Sequence, residues 1–287
     1  MSCSTVKSFS DADIIVMGVP DESKSKAPRK GARNGPNALR RAFEHSENFK
    51  RSGKKIPILP MKGRIDNKKI FDMGNIRRDQ LYDIVSDVLL QNKIPIVIGG
   101  DHSITSSTIK AIGKYTNGKI NLIYFDAHPD FVTSVKDYYG SVVSDSIDFI
   151  NLRTSIFIGT RACEPEEMYN LKAHKAVIIN PLEIQEIGIK KTLKRIADTC
   201  IDKSDDNDVY ISIDLDCLDP AFAPGISVPT PCGLSTLDLT YLVKKILEKK
   251  SVIGCDIVEL CPSYDVNDVT ANFSARLLKE ILASIRK

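Results

Sequence analysis

Short apolar runs rich in β-branched residues alternate along this chain with longer stretches whose apolar positions recur at helical spacing. The runs predict strands at Asp13–Val19, Ile94–Ile98, Lys119–Phe125, Ser155–Ile158, Ala176–Ile179, Val209–Ile213 and Val252–Asp256. The helical stretches between them are Pro36–Phe49, Arg78–Gln91, Ile104–Tyr115, Pro165–Ala173, Lys190–Ile201, Thr236–Lys249 and Val269–Ile285. Segments such as Val209-Tyr210-Ile211-Ser212-Ile213 are almost continuously apolar. That is the pattern of parallel strands covered on both faces. Strand and helix alternating this regularly predict an α/β fold with a central, mostly parallel sheet. No linker or low-complexity tract divides the chain, so one domain over residues 1–287 is expected.

Composition narrows the class. The 287 residues are 42% hydrophobic and 27% charged, ordinary for a folded soluble protein. No apolar run approaches the roughly 20 residues of a membrane span, and the start, MSCSTVKSFSDAD, has no signal-peptide core. A cytoplasmic location is expected. The seven cysteines, at 3, 163, 200, 217, 232, 255 and 261, form no CxxC pair and read as reduced, mostly buried thiols. The net charge of +3 is too slight to imply a nucleic-acid partner. Basic residues do clump: Lys24 to Lys69 holds fifteen Lys or Arg against Glu44, Glu47 and Asp66. Without interleaved aromatics this reads as a solvated face rather than a base-stacking surface.

Candidate chemistry sits where three strands end: Ile98-Gly99-Gly100-Asp101-His102-Ser103, Phe125-Asp126-Ala127-His128-Pro129-Asp130, and Ile213-Asp214-Leu215-Asp216. Ligands of open parallel sheets bind beyond the carboxyl ends of the strands, so these termini can converge. Residues two apart in extended chain point the same way, which lets Asp126 face one point with His128, and Asp214 with Asp216. One such motif alone is compatible with a turn or a helix cap. Three together assemble His102, Asp126, His128, Asp130, Asp214 and Asp216, and so many carboxylates repel one another without a cation. Four Asp charges balance two divalent ions, and a pair about 3.5–4 Å apart can ionise a water between them. Oxygen ligands with a minority of imidazole favour Mn2+ over zinc. Asp101 is a candidate to orient an imidazole. His45 and His174 fall on polar helix faces.

These residues resemble the arginase/agmatinase (ureohydrolase) family of binuclear manganese enzymes. The resemblance runs from Gly18-Val19-Pro20 nearly to the C-terminus. It also takes in Gly31-Ala32-Arg33-Asn34-Gly35-Pro36, Asp219-Pro220-Ala221-Phe222-Ala223-Pro224-Gly225 and Asp256-Ile257-Val258-Glu259-Leu260-Cys261-Pro262. It implies a three-layer α/β/α sandwich, usually a homotrimer or homohexamer. It further implies that His102, Asp126, Asp130 and Asp214 surround one Mn2+ and that His128, Asp126, Asp214 and Asp216 surround the other. Asp126 and Asp214 would bridge the two. Glu259 would pair with the substrate guanidinium, and Asp130 would move the proton to the leaving nitrogen. The reaction implied is hydrolysis of a guanidino compound to urea and an amine.

Agmatine is the first expected substrate. Arginases carry an Asn just after the Asp-Ala-His-x-Asp motif, whereas Phe131-Val132-Thr133-Ser134-Val135 has none. The Gly159-Thr160-Arg161 turn also looks like that of agmatinases. Arginase, guanidinobutyrase and formimidoylglutamase activities are the alternatives, as is a metal-binding paralogue with weak or no turnover. The last is raised by one departure. The family usually has a histidine in the loop after Asp130, often in a Ser-His or His-Gly pair, and Tyr138-Tyr139-Gly140-Ser141-Val142-Val143-Ser144-Asp145-Ser146 has none. Asp145 is the candidate to occupy that place.

Overall fold

The computed structural model describes residues 3–199 and 209–286. Its centre is an eight-stranded sheet: β1 Ile14–Val19, β2 Ile70–Asn75, β3 Ile94–Gly99, β4 Asn121–Phe125, β5 Ile156–Ile158, β6 Val177–Ile179, β7 Val209–Asp214 and β8 Val252–Val258. The spatial order is β2-β1-β3-β8-β7-β4-β5-β6, and every pairing is parallel. Alternate side chains serve opposite faces. Val16, Ile96, Ile98, Ile123, Ile211 and Ile213 pack on one side, and Ile15, Met17, Val97, Leu122, Tyr124 and Tyr210 on the other.

Helices cover both faces. α1 Gly35–Glu47, α7 Thr236–Lys249 and α8 Val269–Ser284 bring Leu39, Phe43, Leu242, Leu278 and Ile281 to the first. α2 Leu81–Leu90 and α3 Ile104–Thr116 bring Val85, Val88, Ile109 and Ile112 to the second. Each such side chain, fully buried, stabilises the fold by about 1.5–3 kcal/mol. Further helices are α4 Pro165–Ala173, α5 Pro181–Ile187 and α6 Ile189–Thr199, beside a four-residue turn of helix at Val142–Asp145. The fold is the expected three-layer α/β/α sandwich.

Strand and helix positions follow the hydrophobic pattern closely, and the additions include a small hairpin, Lys50–Arg51 with Lys54–Lys55, α5 and β2. α5 was not foreseen; the Asn180 side chain caps it by accepting from Glu183 N at 2.9 Å. Strand β2 was also missed, because Asp72 interrupts its apolar run. Asp72 is wholly buried and is held by Arg40, whose Nε and Nη2 both donate at 2.9 Å. The predicted helix Lys190–Ile201 corresponds to α6, and its last two residues, Cys200 and Ile201, lie outside the described residues. No helix among the described residues is long and apolar enough to cross a membrane.

Candidate metal centre

The centre of the sheet places β3, β8, β7 and β4 side by side, so the residues just beyond their carboxyl ends share one edge. After β3 the chain turns at Gly100, where a Cβ would lie 1.8 Å from the Asp21 carbonyl oxygen. Only glycine permits that approach, which delivers His102 to the start of α3. Asp126 follows β4 directly, Asp214 ends β7, and Glu259 follows β8. Asp130 and Glu259 both adopt left-handed backbone, with φ of 48° and 66°. For a glutamate this is an uncommon conformation that the surrounding structure must hold in place, and such strain concentrates at functional sites.

Six of the seven predicted side chains are nearly inaccessible: His102, Asp126, Asp130, Asp214, Asp216 and Glu259. His128 is about a quarter exposed, with 25% of its side chain accessible. Three carboxylate oxygens converge on His102 Nδ1: Asp126 Oδ2 at 3.0 Å, Asp130 Oδ2 at 3.1 Å and Asp214 Oδ2 at 3.1 Å. His128 Nδ1 lies 3.0 Å from Asp216 Oδ2 and 3.5 Å from Asp126 Oδ1. Two groups with the spacing of metal ligands result, His102–Asp126–Asp214 and Asp126–His128–Asp216, and Asp126 belongs to both. Asp130 approaches His102 without joining either group and accepts from the Tyr124 hydroxyl at 2.7 Å. Asp214 belongs to the first group only; its Oδ1 accepts from Asp216 N at 2.7 Å.

The orientation of His102 is set from behind. Ser212 Oγ donates to Asp256 Oδ1 at 2.7 Å, so its oxygen is left to accept from His102 Nε2, 2.9 Å away. The ring proton therefore belongs on Nε2, and the Nδ1 lone pair faces the carboxylates. Asp256 is itself fixed by Tyr210 and Thr105 hydroxyls at 2.6 and 2.7 Å. Tyr124 stacks on the imidazole with ring centres 4.9 Å apart and planes 6° from parallel. The expectation that Asp101 does this work is corrected: its carboxylate accepts from Ser103 N at 3.0 Å and Lys24 N at 3.2 Å. The signal for the actual pair was present in Ser212, two residues before Asp214 on a buried strand, and in Asp256, the lone acid of β8.

The arrangement fits a cation. With its proton on Nε2, His102 offers the three carboxylates at Nδ1 no donor, and Asp126 Oδ2 is buried without a hydrogen-bond partner among the described residues. Burial, then repulsion from Asp216 and Asp130, pushes the Asp126 carboxyl up to about 7. Burial and the same mutual repulsion raise Asp214. Burial opposes the charge on both imidazoles, yet the surrounding carboxylates outweigh it and raise His102 and His128. Asp216 alone is lowered: burial works against its charge, but the charge of His128 and their hydrogen bond prevail. A cluster that keeps its carboxylates charged only by recruiting protons is one that divalent cations relieve. Mixed oxygen and imidazole donors suit such ions.

Above this floor lies a cavity of about 330 Å³. His128 and Asp130 form its base, Val132, Tyr138, Tyr139 and Gly140 one wall, and Ala162, Cys163, Glu164, Glu167 and Val228 the rest. Asp145 does not line it. That carboxylate instead accepts from Ser141 Oγ at 2.6 Å and Asp137 N at 2.8 Å, bracing the loop. Glu259 turns Oε1 onto His102 N at 2.8 Å, leaving Oε2 buried and unpartnered among the described residues. Burial pushes its carboxyl up to about 8. His45 and His174 are exposed, as their helix faces predict.

A fold and a ligand set of this kind define a ureohydrolase. The chain belongs to the Arginase family, whose model matches residues 12–284. Relatives named agmatinase are hydrolases of guanidino C–N bonds. The agmatinase of Neisseria meningitidis serogroup C (strain 053442) is 31% identical over 283 residues, covering 95% of this chain and 87% of that protein. Among solved structures, the agmatine ureohydrolase of Thermoplasma volcanium superposes with a TM-score of 0.81 at 29% identity, covering 98% of this chain and 92% of that one. The formimidoylglutamase of Bacillus subtilis subsp. subtilis str. 168 superposes with a TM-score of 0.82 at 27% identity, covering 96% and 88%.

Proposed function

We propose that this protein is a manganese-dependent agmatinase, hydrolysing agmatine to putrescine and urea with two Mn2+ ions per subunit. One observation carries the substrate choice. The cavity above the ligand groups is lined by Asp130, Glu164 and Glu167 and by no Lys or Arg. Agmatine has a cation at each end and no carboxylate. Arginine, guanidinobutyrate and formimidoylglutamate would each bring a carboxylate into this acidic surround with no cation to receive it, at a cost in desolvation and repulsion. Glu167 is already committed, accepting from Phe131 N at 3.0 Å and Glu164 N at 2.9 Å. Glu164 is exposed at the rim, at the N-cap of α4, where its carboxylate can meet an ammonium group.

Bound metal ions supply a nucleophile by acidifying a water, so that no strong side-chain base is required. His102, Asp126 and Asp214 would hold one ion, and Asp126, His128 and Asp216 the other. Asp130, at the base of the cavity, orients the guanidinium through charge-assisted hydrogen bonds and passes a proton to the leaving nitrogen. Glu259 contributes Oε2 to a guanidinium N–H. The subunits assemble as a homotrimer or homohexamer in the cytoplasm, as the family resemblance implies.

The test is urea release by the Mn2+-loaded protein from agmatine, arginine, guanidinobutyrate and formimidoylglutamate in parallel. Agmatine is expected to give the highest kcat/KM. A higher value for any carboxylate-bearing compound would overturn the substrate choice. No urea from any of the four at full metal occupancy would overturn the reaction and favour a paralogue that binds without turnover.

A further inference from the structure

The loop between Phe131 and Asp148 supplies one polar group that the chemistry above leaves unused. Residues 137–145 fold back over the floor of the cavity. Val143 N donates to Asp130 O at 3.0 Å, Val132 N donates to Gly140 O at 3.2 Å, and Tyr138 N donates to Ser141 Oγ at 3.1 Å. The fold-back holds Tyr139 in the wall of the same cavity whose base is His128 and Asp130. Its ring is half-buried and stands edge-on to Tyr138, with centres 5.4 Å apart at 88°. The Tyr139 hydroxyl makes no hydrogen bond among the described residues. It lies within the field of Asp130, Glu259, His128 and Asp216, residues contributed from three different strand ends. Burial first, then the negative charges of Asp130 and Glu259, raise its pKa, so it stays a neutral hydroxyl.

We propose that Tyr139 contacts the substrate directly, its hydroxyl oxygen accepting an N–H of the bound guanidinium from the loop wall of the cavity. A guanidinium carries only donors, so whatever binds it must present acceptors. Asp130 and Glu259 present acceptors from the strand ends, and Tyr139 adds one from the loop wall. An acceptor on that further side fixes the plane of the guanidinium more fully than the strand-end carboxylates alone. Fixing that plane brings the central carbon to one attack geometry, the positional advantage that a loose cation forgoes. A neutral acceptor also adds no further charge to a cavity that already holds several carboxylates. This assignment rests on the guanidino-substrate reading given above and goes beyond it by naming the group that orients the substrate.

The decisive variants are Tyr139→Phe, which removes only the oxygen, and Tyr139→His, which restores a planar ring with a nitrogen able to accept. Each is purified with Mn2+, and metal content and Tm are measured beside kcat and KM for agmatine. Calorimetry measures agmatine affinity independently of turnover. A hydrogen bond to a charged group implies that Tyr139→Phe lowers kcat/KM by about 10- to 100-fold, with affinity reduced and both metal content and Tm unchanged. Tyr139→His is expected to recover part of the loss, which a purely space-filling tyrosine would not predict. A Tyr139→Phe protein within twofold of the parent in kcat/KM and affinity would overturn the proposal. Should the parent bind agmatine but release no urea, the reaction is rejected while the calorimetric comparison still decides the role of Tyr139. If the parent neither binds nor turns over agmatine or any other guanidino compound, both fall.

Discussion

Around His102 every functional side chain comes from a strand end or from the residues just past it, whereas the cavity's rim is built from loop residues 131–141 and 162–164. The two regions are held differently. At the floor, His102, Ser212, Asp256, Tyr210 and Thr105 form a continuous buried network of hydrogen bonds spanning the turn after β3, strands β7 and β8, and α3. At the rim, Tyr138 is held by hydrogen bonds to Ser141 of its own loop, and the neighbouring Gly140 carbonyl accepts from Val132 N. A buried network at sheet edges changes geometry at high cost, so it suits a centre that must position charges within tenths of an ångström. A loop wall varies cheaply, so it suits the choice of substrate. The comparison separates what makes the centre react from what decides on which molecule.

The sharpest way to break this division is at Asp126, the residue common to both ligand groups. Asp126→Ala is expected to lose both metal ions and to lower urea release by about 10³-fold or more, since metal activation is worth several kcal/mol. Metal analysis beside kinetics checks it. One ion retained with substantial activity would show that the two groups act independently.

Ser212→Ala probes the floor one step back from the ligands. Removing the hydroxyl frees the Nε2 proton of His102 and leaves Asp256 without one of its donors. Loss of such an outer partner typically costs about 10- to 100-fold in metal affinity or activity. Mn2+ titration should register that loss with the substrate KM little changed. A changed KM with unchanged metal affinity would place Ser212's influence at the rim instead.

Removing the metals should turn the floor into a pH-dependent liability. Folding moves the Asp126 carboxyl from 3.8 to about 7 and that of Glu259 from 4.5 to about 8. Between those values the folded state binds protons that the unfolded state releases, so stability falls as pH rises. Asp216, which is lowered, is ionised in both states over this range and leaves the trend untouched, while His102 and His128, both raised, reinforce it. Metal-free protein is therefore expected to lose several degrees of Tm between about pH 5 and pH 8, and Mn2+ to restore them. A metal-free Tm that rises over this range would contradict the charge balance described for the centre.

How much of this was readable from the chain follows the same boundary. Continuous apolar strands announced the sheet, and the acids and histidines at their ends announced the floor, because strand termini in a parallel sheet converge by topology. Strand β2 escaped because its buried Asp72 is neutralised by Arg40 from α1, a partnership between residues 32 positions apart that no local pattern reveals. Asp101 misleads for the same reason. Adjacency to His102 in sequence suggested it, while the actual orienting pair lies on the neighbouring strands β7 and β8. The rim was the least legible part. Asp145 was chosen by residue type, but loop closure turns it toward Ser141 and Asp137 and presents Tyr139 to the cavity.

The smallest expected effect lies at the rim's exposed edge. Glu164→Gln should raise KM for agmatine roughly two- to fivefold with kcat preserved, as for an exposed ion pair, and the effect should shrink with added salt. A fall in kcat with KM unchanged would assign Glu164 to the reaction itself.

The central claim is that two cations sit side by side with Asp126 between them. Anomalous diffraction at the manganese edge from crystals grown with Mn2+ tests it most directly. Two peaks about 3.5–4 Å apart are expected, one beside His102 and one beside His128, with Asp126 touching both. A single peak, or density lying away from these side chains, would contradict it.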